Sequence, residues 1–250
     1  MQYKKQSQEA IDFIYLCCYA IPSLNAYMKA VEKGCAEKIP DADYFKSIPS
    51  YSRLQEIKKN YKKVLGDSLT ISIFSYFESY VFNVIDEVLD FHQKSLGKDL
   101  LDFTNERRNK SFELESSDEQ LKKKLKKLRT EPKKSNEQAY QKAIDHLRTT
   151  PYLLPSQLFS SFGVKQLKSV KKSFTAKDIP IILEDIFGLA MSSEEQKNFE
   201  DIKQLRNNIA HGDVQAIDLK KAIQHTKFLK KLATKYDAHV CKFFFVIEKE

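Results

Sequence analysis

Glycine and proline are scarce in this chain, 6 and 7 among 250 residues. A fold built from many short strands needs more turn formers, so the balance favours helices. Cysteine is scarce too. Cys17, Cys18, Cys35 and Cys241 have no zinc-ligand spacing among them, and the 5 histidines do not cluster with them. They read as free thiols in a reducing compartment. Long apolar runs are also missing: "FIYLCCYAI" (13–21) has nine residues, against about 20 needed to cross a bilayer. Glu9 and Asp12 precede that run and no A-x-A-like site follows it, which argues against a signal peptide. The expected location is the cytoplasm, with no membrane partner. There is no Gly-rich phosphate loop, no G-x-S-x-G and no H-E-x-x-H. Those enzyme classes find no support, and neither a cofactor nor a metal is expected.

What is present is a core and a charge. Hydrophobic residues make up 42% and aromatics 12%, enough for a sizeable interior. Charged residues reach 30%, with a formal net charge of +8 and a pI near 9.1. Such an excess is compatible with a polyanionic partner without requiring one.

No internal repeat is visible. Residues 8–33 read as a helix interrupted at Pro22, and 35–50, with Pro40 and Pro49, as a loop. A short helix is expected over 51–65, closed by Gly66. The strongest helix follows over 68–97, with Gly97 as its C-cap. Leu69, Ile73, Phe77, Val81, Val84 and Val88 recur there at three- and four-residue steps. Phe74, Ile85 and Leu89 widen the apolar arc, and Glu78 falls between Ile85 and Leu89 on the wheel. Either Glu78 sits at a wet margin or it meets a buried cation from another helix, because an unpaired buried carboxylate is costly.

Residues 104–138 are poor in apolar side chains and rich in charge. Lys122, Lys123, Lys124, Lys126, Lys127 and Arg129 crowd one part of this stretch. It is either a solvated excursion or a patch that contacts phosphates. No aromatics interleave the lysines, so base stacking is not supported there. Two short helices are expected at 158–174 and 178–190, with turns at Gly163 and Gly188. Ser192 and Glu195 have capping-box spacing ahead of a helix with the stripe Phe199, Ile202, Leu205 and Ile209, stopped at Gly212. Asp218 is placed to N-cap a last long helix whose apolar side carries Leu219, Ala222, Ile223, Leu229, Ala233, Tyr236 and Val240. His92, His146, His225 and His239 show no partner pattern and read as ordinary helix or surface residues.

One stretch departs from this generic pattern: "LRNNIAHGD", Leu205 to Asp213. Arg206 lies beside the apolar stripe, so it is partly buried and needs an anionic partner, for which Glu78 is the best candidate. His211 lies about 140° round from Arg206 on an ideal helix. The two share a face only if the helix turns at Ala210-His211-Gly212, or they serve each other across a dimer.

The spacing alone is weak, but the whole string "RNNIAHGD" between two long helices resembles the signature of the HEPN superfamily. Those domains carry an R-x4–6-H motif, often with Asn directly after the Arg; Arg206, Asn207 and His211 match it. The resemblance implies an all-α helical bundle, here a single domain over 1–250 with an N-terminal extension (1–66) and a basic insertion (about 104–138). It also implies a metal-independent endoribonuclease in which the RNA 2′-hydroxyl attacks the adjacent phosphate. His211 would be general acid/base, since imidazole titrates near neutrality. Arg206 would stabilise transition-state charge, Asn207 would orient the site or the phosphate, and Glu78 and Asn208 would support them. The partners implied are RNA, a second copy sharing the site, and an antitoxin or nucleotidyltransferase, in a toxin–antitoxin or antiviral setting. Two other readings compete: a non-catalytic module of the same type that binds RNA, a nucleotide or a partner protein, and a helical interaction protein with a coincidental motif.

Overall fold

The computed structural model describes residues 2–39, 50–95, 171–213 and 217–244. Among the described residues four long helices dominate: α1 (Gln2–Glu32), α2 (Tyr51–Ser95), α3 (Ser193–His211) and α4 (Leu219–Phe244). A short segment over 176–186 precedes α3. No strand occurs among the described residues, so the fold is all-α.

Two compact units are formed: Met1–Phe77 with Asp201–Lys231, and Glu78–Glu200 with Leu232–Glu250. In the first, α1 lies along the first half of α2. The Tyr3 and Phe77 rings meet edge to face at 5.8 Å, and Lys58 Nζ donates to Asn25 Oδ1 at 2.6 Å. Ile14, Met28, Leu69, Ile73, Phe74, Ile202, Ala222 and Leu229 fill its interior. In the second unit, Phe187 stands edge-on to Tyr236 and Phe244, at 5.3 Å and 5.2 Å. Val81, Val84, Ile85, Val88, Leu183, Phe199 and Val240 complete that core. The apolar positions expected for α2 and α4 are buried, apart from half-buried Leu89 and Ile223.

Three helix boundaries differ from the sequence expectation. Pro22 does not interrupt α1, which runs through it. Proline removes one intrahelical bond, but Ile14 before it and Met28 after it are buried, and Ser23 Oγ donates to Tyr19 O at 2.9 Å. Packing on both sides outweighs the local break. Gly66 does not close a helix either; 51–95 is continuous. Gly66 is there for space, since a Cβ on it would stand 2.7 Å from the Ile217 carbonyl oxygen and 3.3 Å from Leu219 N. Asp67 Oδ1 accepts the Ile217 N–H at 3.3 Å, holding that incoming chain.

The third difference concerns 178–190. The segment is a 3-10 turn at Ala176–Asp178, one α turn at Ile179–Ile181 and a wide π turn at Ile182–Ile186. Phe187 N–H reaches back five residues to Ile182 O, and Gly188 turns the chain with φ 69°. The expected turn at Gly188 is therefore present. So is the capping box: Ser192 N donates to Glu195 Oε2 at 2.9 Å and Glu195 N donates to Ser192 Oγ at 3.1 Å. Asp218 caps α4 as expected, with Lys220 N donating to Asp218 Oδ1 at 3.4 Å. Gly97, Gly163, 104–138 and 158–170 lie outside the described residues.

Candidate functional site

The motif residues occupy the last two turns of α3. The helix remains regular through His211, then ends in a Schellman turn. Gly212 N donates to Ile209 O at 3.1 Å and Asp213 N to Asn208 O at 2.9 Å, while Gly212 takes φ 81°. This double bond pattern satisfies carbonyls that a helix end otherwise leaves open. It also gives the closing Gly-Asp of the motif a local reason: glycine reaches the left-handed region without a Cβ penalty. Asn208 enters the site through its backbone carbonyl, which holds the cap.

His211 is exposed at this helix end, whereas Arg206 is half-buried. No kink intervenes, so five residue steps along the helix separate them by about 7.5 Å along the axis and about 140° around it. The two side chains of one copy therefore leave the helix in different directions.

Arg206 is held from two sides. Its Nη1 donates to Asn207 Oδ1 at 3.0 Å, and its guanidinium carbon lies 5.8 Å from the centre of the Phe74 ring. Phe74 is fully buried on α2, so the ring is a fixed surface for the cation. Asn207, expected to orient the site or the phosphate, thus bonds the arginine. The wheel indicated the half-burial of Arg206, but the sequence offered no sign that Phe74 would be the aromatic beneath it.

Glu78 is half-buried on α2 and belongs to the second unit. The basic residues Lys122, Lys123, Lys124, Lys126, Lys127 and Arg129 lie outside the described residues.

Two histidines read from sequence as ordinary have defined environments. His225 on α4 is half-buried, and its Nδ1 is out of solvent with no hydrogen-bond partner among the described residues. Burial lowers its pKa from the usual histidine range, Lys221 adds to this and Asp201 opposes it. His239 Nε2 lies 2.6 Å from the Phe187 carbonyl oxygen. Burial lowers its pKa as well, partly offset by that carbonyl, with Lys242 and Lys235 lowering it further. Among the described residues no group of His, Cys, Asp and Glu could hold a metal ion. No helix among them is long and apolar enough to cross a membrane.

No curated protein and no solved structure matches the chain. A protein-family match does exist. It covers residues 42–242 under the description RiboL-PSP-HEPN, taking in α2, the 176–186 segment, α3 and nearly all of α4, and starting after α1. With a match over most of its length and a fold of helices alone, the chain belongs to the RiboL-PSP-HEPN family.

Proposed function

We propose that this protein is a metal-independent endoribonuclease that cleaves RNA by transesterification. The observation that carries the reading is the state of the motif helix: a fixed, half-buried Arg206 and an exposed His211 at a capped helix end. In the proposed reaction His211 takes the proton from the RNA 2′-hydroxyl, and that oxygen attacks the adjacent phosphorus. The P–O bond to the 5′-oxygen of the next nucleotide breaks, and that oxygen leaves with a proton. The products are a 2′,3′-cyclic phosphate and a 5′-hydroxyl end. No protein nucleophile is needed, and a single imidazole cycle moves the protons.

Arg206 stabilises the extra charge of the pentacoordinate transition state. Asn207 positions it, and Glu78 is retained, from the sequence pattern alone, as a supporting carboxylate. The angular separation of Arg206 and His211 favours a site completed by a second copy, one chain's arginine serving the other's histidine. The net charge of +8 suits an RNA partner, with the lysines of 122–127 and Arg129 as phosphate contacts. A toxin–antitoxin or antiviral role, restrained by an antitoxin or a nucleotidyltransferase, is the setting we infer.

A second reading has one observation in its favour. Arg206 already engages Asn207 and Phe74, as it would in a non-catalytic module where it clamps two helices. RNA cleavage in EDTA, with end-group analysis, separates the two. Cleavage by wild type that leaves cyclic phosphate, lost in His211→Ala and Arg206→Ala, is the expected result. No cleavage of several RNAs by folded protein selects the binding module, and equal cleavage by all three proteins rejects the site.

A further inference from the structure

α1 lies outside the family match, and its packing leaves a question. From Phe13 to Met28 it carries no charged residue at all. Its buried side chains, Tyr3, Ser7, Ile14 and Met28, fall within one narrow arc at about 100° per residue. The opposite arc holds Phe13, Tyr15, Leu16, Tyr19 and Tyr27, each between 43% and 75% exposed. Those five are most of the eight large apolar side chains exposed among the described residues. A helix that is apolar on both faces is ordinarily covered on both.

We propose that this outer face of α1 is a self-association surface, on which two copies of the chain pack antiparallel about Ala20. Three features select a second copy. The first is area: at about 200 Å² per large side chain, the exposed fractions amount to roughly 600 Å² per copy. A pair would bury about 1,200 Å², the lower bound for a specific interface. The second is charge. Two chains of net charge +8 repel, and an uncharged face is where they approach at least cost.

The third feature is self-complementarity. Asp12 flanks the face at one end, where Glu9 is paired with Lys5 at 3.9 Å, and Lys29 and Lys33 flank it at the other. Glu32, also at that end, is turned to α2, accepting from Tyr51 and Gln55. Antiparallel pairing about Ala20 sets Phe13 opposite Tyr27. It places Asp12 opposite the segment bearing Lys29 and Lys33, whereas parallel pairing sets Asp12 against Asp12. A two-fold axis requires just such a patch. A lipid surface fits less well: α1 carries three basic and three acidic residues, not the basic polar face of an interfacial helix.

This proposal does not rest on the RNA-cleavage reading, since none of its residues belongs to the motif. The test uses the full chain at micromolar concentration, with mass measured by light scattering after size exclusion. The wild type is expected at twice the mass of the Leu16→Glu/Tyr19→Glu variant, with matching far-ultraviolet circular-dichroism spectra because both side chains are exposed, and with the higher melting temperature because association stabilises the folded chain. Ala20→Cys, with the four native cysteines changed to Ala, is expected to form a disulfide-linked dimer on mild oxidation. Equal masses for wild type and double variant overturn the proposal, whether both are monomers or both are dimers joined elsewhere. Cross-linking through Phe13→Cys but not Ala20→Cys overturns the antiparallel register. Monomeric wild type that sediments with phosphatidylserine vesicles, while the double variant does not, assigns the face to lipid and overturns it too. RNA cleavage on the same samples keeps the two proposals apart, since His211→Ala is expected to lose cleavage and keep the wild-type mass.

Discussion

The guanidinium carbon of Arg206 stands 5.8 Å from the centre of the buried Phe74 ring. Arg206 comes from the motif helix and Phe74 from α2, so the arginine's position depends on the packing of two elements. Replacing Phe74 by Leu keeps the site apolar but removes the π surface. A cation–π contact is worth about 0.5–2 kcal/mol, and the smaller side chain adds a core-packing cost of about 1–2 kcal/mol. Phe74→Leu is therefore expected to lower the rate constant of RNA cleavage about 2- to 30-fold and to lower the melting temperature. Phe74→Tyr keeps a ring and should retain more activity for the same loss of stability. If Phe74→Leu melts lower but cleaves normally, Phe74 only fills the core and does not position Arg206.

The two half-buried histidines predict an acid-sensitive fold. His225 and His239 both have pKa values lowered in the folded state, chiefly by burial. The unfolded chain takes up these protons near the usual histidine pKa, about 6.5. Below that pH the unfolded state binds more protons than the folded state, so stability falls as pH falls. Above it, both groups are neutral in both states and contribute no slope. Melting temperatures measured from pH 8 to pH 5 should be flat on the alkaline side and then drop. A His225→Gln/His239→Gln variant should show a shallower drop. A melting temperature that rises on acidification to pH 5 contradicts this assignment.

How much was legible in the sequence depended on how local the cause was. The three- and four-residue spacing of Leu69, Ile73, Phe77, Val81, Val84 and Val88 reports directly which side of α2 is buried. Ser192 and Glu195 lie three residues apart, and their reciprocal bonds need nothing else. The half-burial of Arg206 followed from its place beside Phe199 and Ile202 on the wheel. Gly66 misled because its cause is remote: the residues that require it, Ile217 and Leu219, arrive from the far end of the chain. Pro22 misled because a local penalty lost to tertiary burial. His239 was passed over because its partner is a backbone carbonyl, which no side-chain pattern reveals.

The capping box offers a stability test remote from the motif. Ser192→Ala removes one of the two reciprocal bonds and should cost about 1 kcal/mol, while Ser192→Asp should cost less. Glu195 has a second duty, since its Oε2 also receives Lys235 Nζ at 2.9 Å. Lys235 Nζ in turn donates to Ala190 O at 2.8 Å, fastening α4 to the residues just before α3. Glu195→Ala should therefore destabilise more than Ser192→Ala in urea unfolding. The excess should be modest, because the Lys235 side chain is partly exposed and solvent screens the pair. Equal losses mean that the tie through Lys235 contributes nothing.

Two glycines should respond to alanine for opposite reasons. Gly212 takes φ 81°, and no atom lies within 4 Å of where its Cβ would be. Gly212→Ala meets no clash and costs only the left-handed backbone, about 1 kcal/mol, with Asn at the same position costing less. Because Gly212 closes the turn immediately after His211, its substitution should reduce cleavage further than the stability loss explains. At Gly66 the backbone is helical, and alanine would on propensity alone stabilise by about 1 kcal/mol. The new methyl group, however, would stand 2.7 Å from the Ile217 carbonyl oxygen, a backbone atom that cannot rotate away. Overpacking of this kind costs about 1–3 kcal/mol, so Gly66→Ala should be destabilising despite the gain in helix propensity. Neutral or stabilising behaviour of Gly66→Ala would mean that the 217–219 chain does not press on α2 as closely as the structure places it.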